Sequence, residues 1–430
     1  MTGPGMPRRR LAAYAAAGVG AVLLGGCGAG GDVGRQHAAF YGAPDVNQAL
    51  AAAFALLHRE HGDLSVSTES GAFQGYYDKL ATRFGSGAAP DIVMMDFTHI
   101  AGYAQRGALL DLTRFVPDPI DPAAGRARML DGGKVGHRLY GVPIGTHTQA
   151  MVARTDLVTR YGVPVPDALS WDSFAEVCTD IGRASGGRVF GTEDGGGRDF
   201  ALDVFVRQHG AQLFTESGRL GFTAETLTEW FDYWQRLRAA GGAASVDLTA
   251  NTTVQPMVTG QAVLAFSFSN ITGLQGQVPA RLRMLPVPGG SRHHPPGAYQ
   301  YVKPTNMFSV NRATPAPART ARIVAAFLTD PRIARRLGTT LGSPPSRRVF
   351  DAMRAAATGV DRTILDFDAR IQAAATATGY PPIRPLGADQ LLTATGALLG
   401  RLNLSVGYGQ LTPRAAAEEF FSQATSYLQA

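Results

Sequence analysis

Between Pro90 and Val116 the chain reads PDIVMMDFTHIAGYAQRGALLDLTRFV. Ile92–Met95 is an apolar run of strand length, a polar exit follows, and then a short amphipathic helix closed by Gly107. In open α/β sheets ligands bind beyond the carboxyl ends of strands. Asp96, Thr98 and His99 therefore stand at such an edge. A carboxylate there can accept two hydroxyl hydrogens of a sugar at once while staying ionised in a wet cleft. A second assignment stands beside it: Asp96 or Thr98 caps the following helix through the amides of Ile100 or Ala101.

Covalent chemistry finds no comparable foothold. The chain contains no G-x-S-x-G, H-E-x-x-H, G-x-x-x-x-G-K-[ST] or strand-bound G-x-G-x-x-G pattern. His58 and His61 bracket Arg59 and Glu60 without a third ligand nearby, and His293–His294 sits in a proline-rich loop, so no metal site is expected. No cofactor is expected either. A secreted glycan hydrolase remains the rival class, and it needs a positioned acid–base pair that no motif here supplies.

The elements that would hold Asp96 alternate. A strand near Ala38–Tyr41 precedes a helix from Pro44 to about His61, with Val46, Leu50, Phe54 and Leu57 on one face. A strand at Leu64–Ser67, a helix near Gly75–Phe84 and the strand Ile92–Met95 follow. The alternation restarts after Pro143 with a strand at Ala150–Ala153 and a helix from Ser170 that turns Trp171, Phe174, Cys178 and Ile181 inward. A helix from Thr223 carries Leu227, Trp230, Phe231, Trp234 and Leu237, whose spacing reads as core. From about Asp361 the chain reads as mostly helical, interrupted at Gly379–Pro385. Strands alternating with helices imply a largely parallel α/β sheet, and a chain of 430 residues exceeds what one core usually serves.

The amino terminus has its own logic. Arg8, Arg9 and Arg10 precede an uncharged run, Leu11–Gly26, that is too short and small-residued to span a membrane, which takes ~20 apolar residues. Leu24-Gly25-Gly26-Cys27 then fits a bacterial lipobox. Residues 1–26 are read as a lipoprotein signal peptide, Cys27 as the acylated residue and 27–36 as a tether. Besides Cys27 only Cys178 is present, so no internal disulfide is expected. The full chain carries +6; residues 1–26 hold three arginines and no acid, which leaves +3 beyond them. That mild, scattered charge argues against nucleic acid. Lysine occurs only at 79, 134 and 303.

The pattern P-D-I followed nine residues later by G-Y-A-Q-x-G-x-L resembles the family 1 extracellular solute-binding proteins, including the maltodextrin binders of ABC importers. Further stretches match in order: LYGVPIGTHTQAMVARTDL at 139–157, SWDSFAEVCTDI at 170–181, MVTGQAVLAFSFSNITG at 257–273, LPVPGG at 285–290 and GQLTPRAAAEEFFSQATSYL at 409–428. The resemblance implies a two-lobe periplasmic-binding-protein fold, with a mainly parallel sheet in each lobe and hinge-linking crossing strands. Residues 37–146 with 299–378 would form one lobe, and 147–298 with 379–430 the other. Crossings are expected near Pro143–Ala150, Gly297–Val302 and Gly379–Pro385.

The resemblance also implies a ligand cleft lined by Asp96, Thr98, His99, His147, Arg198, Asp199, Phe200, Phe266, Ser269, Asn270 and Tyr299, with Phe266 at a sugar-stacking position. Met95 and Phe266 stand where maltodextrin binders carry tryptophan, and His147 where they carry an acid. A small or derivatised sugar is therefore expected rather than a long glucan; a glycerophosphodiester or another anion is the alternative ligand. The implied partners are the permease subunits of an ABC importer and, through the lipid anchor, the extracytoplasmic face of the cell membrane. The implied state is a monomer.

Overall fold

The computed structural model describes residues 35–73, 75–250, 255–289, 295–375, 380–393 and 396–428. Cys27, the segment before it, most of the tether, His293–His294 and Gly379 lie outside the described residues. Local signals account for the helices. Pro44 opens the helix Pro44–Glu60, which buries Leu50, Ala53, Phe54 and Leu57. Ser170 and Ser173 cap the helix Trp171–Ala184 reciprocally, and Thr223 caps Ala224–Ala239. Trp230, Trp234 and Cys178 are fully buried, as helical spacing predicts. Burial pushes the Cys178 thiol pKa up.

Ten strands occur among the described residues: β1 (Arg35–Tyr41), β2 (Ser65–Gly71), β3 (Ile92–Asp96), β4 (Lys134–Val135), β5 (Arg138–Leu139), β6 (Val142–Arg154), β7 (Phe190–Thr192), β8 (Ala262–Phe268), β9 (Leu282–Leu285) and β10 (Val302–Val310). Apart from the β4–β5 ribbon they join in the order β2-β1-β3-β10-β6-β8-β7, with β9 also on β6. The pairs β1–β2, β1–β3 and β7–β8 are parallel. β6 and β10 run antiparallel to their neighbours.

β6 is the longest strand and serves both halves. Residues Val142–Thr148 pair with β10, whereas Gln149–Ala153 pair with β8. Its side chains divide accordingly. Val142 and Ile144 enter a core with Phe40, Phe54, Met94, Phe308 and Phe327. Met151 and Ala153 enter an aromatic core with Phe174, Trp230, Trp234, Leu399 and Phe420. The chain passes between these cores again at Tyr380–Pro385, where Ile383 leans on the first and Ala388 is buried in the second. The strand expected at Ala150–Ala153 and the crossing expected at Pro143–Ala150 are thus two parts of one continuous strand. The first half pairs with β10 as a crossing segment, with register shifts between Pro304 and Asn306 and between Asn306 and Met307.

One packing assignment differs from expectation. The helix Gly359–Ala374, placed by the resemblance with the first lobe, buries Ile364, Phe367 and Ile371 against Ala150, Val152, Ala265, Leu282 and Met284. Its apolar stripe covers the face of β6, β8 and β9 that the aromatic core leaves open. A stripe shows that a helix is packed, not against which sheet.

Candidate functional site

β1, β2 and β3 are parallel, so their carboxyl ends share one edge, at Tyr41, Gly71 and Asp96. Asp96 Oδ1 accepts from Thr98 N at 2.9 Å, Thr98 Oγ1 at 2.8 Å, His99 N at 2.9 Å and His99 Nδ1 at 2.8 Å. The His99 ring stacks on Tyr77 with centroids 3.6 Å apart, and Tyr77 Oη accepts the Asp96 amide at 2.9 Å. Burial by itself raises the Asp96 pKa, but the His99 and Thr98 hydrogen bonds outweigh it and hold the carboxyl below its ordinary value.

Of the two assignments left open for Asp96, the structure puts Oδ1 in a turn cap, with the amides of Thr98 and His99 as donors instead of Ile100 and Ala101. Replacing Asp96 by Ala strips four donors of one acceptor and is expected to lower ligand-free stability by about 1–3 kcal/mol. Asp96→Asn, which keeps an acceptor, should lose less. Thermal melts of the two ligand-free variants check this; equal melts for wild type and Asp96→Ala would remove the cap.

The floor of the site is the β6–β10 ladder, in which Lys303 lies opposite His147. Directly opposed residues project to the same face. Gly342 covers the His147 ring at φ +89°, where a Cβ would approach ring Cδ2 to 2.3 Å. Burial, with the nearby Lys303 charge, lowers the His147 pKa to about 4. At neutral pH the ring therefore offers one donor and one acceptor. The Lys303 ammonium sits 5.1 Å from the ring centroid of Phe97, just past β3, and 5.7 Å from that of Phe268, at the end of β8. Burial and Arg384 bring its pKa down to about 8.

The second wall starts at the helix Asp199–Gln208. Asp199 forms an ion pair with Arg384, which arrives from the extended passage after Tyr380. Phe200 tilts against Phe268 with centroids 4.5 Å apart. The Arg198 guanidinium lies 3.9 Å from Glu193 and is 40% exposed. Arg198, Asp199, Phe200 and Phe268 line a hollow of about 510 Å³ together with Arg401 and Asn403.

The expected residues thus separate. Asp96, Thr98 and His99 converge as one hydrogen-bonded turn, His147 lies on the floor, and Arg198, Asp199 and Phe200 line the hollow. Phe266 does not offer its ring: it is 6% exposed, packed among Trp171, Phe174 and Trp234. Ser269 is buried, and its Oγ accepts the Thr148 amide at 3.0 Å, so it stitches the crossing strand. Asn270 is exposed, and Tyr299 is half-buried against the aromatic core. Sequence reasoning missed Lys303, Phe97 and Phe268. Two signals could have found them: Lys303, one of only three lysines, follows directly on the crossing expected at Gly297–Val302, and Phe268 follows Phe266 by two residues, on the same strand face but nearer the sheet edge.

Residues 43–334 match the family model described as bacterial extracellular solute-binding protein. The chain belongs to that family. Solved structures agree in fold. A family 1 extracellular solute-binding protein from Alicyclobacillus acidocaldarius is 24% identical with a TM-score of 0.74, covering 92% of this chain and 98% of that one. An ABC substrate-binding protein of Listeria monocytogenes, solved with cycloalternan, is 17% identical with a TM-score of 0.73, covering 91% and 98%. The GacH receptor of Streptomyces glaucescens, solved unliganded and with acarbose, is 16% identical with a TM-score of 0.71, covering 92% and 98%. An uncharacterized lipoprotein encoded in the oleD 5′ region of Streptomyces antibioticus is 27% identical over 167 residues. That match spans 37% of this solute-binding protein and 37% of the relative. Among the described residues no helix is long and apolar enough to cross a membrane.

Proposed function

We propose that this solute-binding protein captures a small carbohydrate between its two lobes and delivers it to the permease subunits of an ABC importer. In this reading acylated Cys27 tethers it, as a monomer, to the extracytoplasmic face of the cell membrane. The observation that carries the reading is Lys303, which rises from a crossing strand between a ring that follows β3 and a ring that ends β8. Aromatic faces, a neutral imidazole, carboxylates and guanidinium groups around one cleft suit a polyhydroxylated ligand, which presents apolar ring faces and many hydroxyls. The cycloalternan and acarbose complexes of the Listeria and Streptomyces proteins support a carbohydrate.

The work done is binding rather than bond breaking. A ligand that touches both walls stabilises a closed arrangement, with bending taken up where β6 changes partner near Thr148–Gln149. The importer then reads the closed population. Thermal-shift screening against mono-, di- and amino-sugars tests the reading, since a ligand at ~100 times its Kd adds ~2.7 kcal/mol. A shift with a saccharide is expected, and no shift with any of them would overturn it. The anchor has its own test: Cys27→Ala is expected to leave the precursor unprocessed or release the protein. A lipid-free mature form beginning at another residue in the wild type would refute acylation.

A further inference from the structure

We infer that Arg126 and Asp368 form a latch behind the hinge: their side chains meet when the two walls of the cleft swing apart and separate when the cleft closes. The inference rests on reading β6 as the hinge of a solute cleft and adds what sets its resting position.

Side chains alternate along a strand. His147 faces the cleft with Lys303, so Thr146 and Thr148 project from the opposite face of β6, the one on which Ala150 and Val152 meet the helix Gly359–Ala374. Asp368 lies four residues beyond Ile364 on that helix and so shares the stripe that packs on β6. It is fully buried, and its Oδ2 accepts from Ser343 Oγ. Ser343 belongs to the other half of the molecule. Leu341, two residues before it, sits in the first core, and the Ser343 amide donates to Thr146 O at 2.9 Å. One hydrogen bond thus joins a helix seated on the second half of the sheet to a loop seated on the first.

Arg126 approaches the same spot from the first half. It is 3% exposed, its guanidinium lies 4.3 Å from the ring centroid of Phe350, and its Nη2 donates to Thr146 Oγ1. Among the described residues its Nε and Nη1, Asp368 Oδ1 and Thr148 Oγ1 are all buried without a hydrogen-bond partner. Burial raises the Asp368 pKa and lowers the Arg126 pKa to about 10, and in each case the charge of the other is the largest influence opposing the shift. Asp351 adds a smaller share at Arg126. Two opposite charges are therefore buried beneath one crossing strand, near each other but not in contact. Such charges gain most from a partner in contact, because water screens them poorly.

The pair lies on the face of β6 turned away from the cleft, and bending is taken up where that strand changes partner, near Thr148–Gln149. Walls that swing apart in front narrow the angle behind, which draws Arg126 of the first half toward Asp368 on the second-half helix. Walls that close in front widen it. The latch therefore weights the open, solute-free arrangement, and a solute must supply the free energy that separates the pair.

The test is double electron–electron resonance on the full chain with Cys27→Ala, spin-labelled at Ala72→Cys and Arg401→Cys, exposed positions on the two walls. Cys178 is fully buried and stays unlabelled. No solute is added. Asp368→Asn keeps an acceptor for Ser343 and removes only the charge, so it is expected to raise the population at the shorter distance about threefold or more. Arg126→Met should do the same, and the double variant no more than either alone, since both remove one interaction. Thermal melts check that each variant is folded; Arg126→Gln replaces Arg126→Met if the latter is not. Unchanged distributions, a shift to the longer distance, or effects that add in the double variant overturn the latch. Each of these leaves the solute reading standing, because thermal-shift screening tests that reading without reference to the hinge.

Discussion

Phe266→Ala is expected to cost about 3–5 kcal/mol of ligand-free stability, the range for truncating a buried aromatic ring. Its ring is 6% exposed and lies 5.7 Å from Phe174, 5.8 Å from Trp234 and 6.3 Å from Trp171, centroid to centroid. Nothing of comparable size can slide into the gap, because those neighbours are themselves held by one another. Phe268→Ala should behave differently. That ring is half-buried, leans on Phe200 and faces Lys303. Its loss is expected to weaken ligand binding roughly tenfold, about 1.4 kcal/mol, while the ligand-free melt moves less than for Phe266→Ala. Chemical denaturation of both variants, with calorimetric titration of the saccharide found by screening, separates the two roles. A Phe266→Ala variant of wild-type stability and impaired binding would reverse the assignment.

The second large effect concerns the ion pair behind the 510 Å³ hollow. Asp194 Oδ1 accepts from Arg238 Nη1 at 2.9 Å and from the Gly196 amide at 3.1 Å, and Oδ2 accepts from Asn403 Nδ2 at 2.6 Å. The two charged side chains are only 3% and 9% exposed. Asp194→Ala therefore leaves a guanidinium buried with no counter-charge beside it, and its Nη2 already lacks a partner. Breaking a buried pair from one side typically costs about 3–5 kcal/mol, whereas replacing both partners by apolar groups is far milder. Urea unfolding is expected to show that loss for Asp194→Ala, with part of it recovered in Asp194→Ala/Arg238→Met. A double variant no more stable than the single one would show that the cost lies in the Gly196 and Asn403 bonds instead.

Much of the molecule was legible in the order of its residues, where the cause is local. Helix starts at Ser170 and Thr223 follow from hydroxyls three residues ahead of the amides they cap. The burial of Trp230 and Trp234 follows from their spacing on one helix face. The position of Asp96 at a strand's carboxyl end follows from the apolar run before it. Membership of the solute-binding family followed from short motifs recurring in the right order over most of the chain. Tertiary structure alone decided the rest. Alternation puts Phe266 and Phe268 on the same strand face but says nothing of depth along the strand, so packing with the tryptophans had to choose which ring is core. The Asp199–Arg384 pair joins residues 185 apart in the chain, and Lys303 meets rings contributed by two distant segments. Such charges find partners by where the crossing strands bring them, and no local pattern records that. Even Asp96, correctly placed, changed meaning once His99 was seen turned back onto its carboxylate.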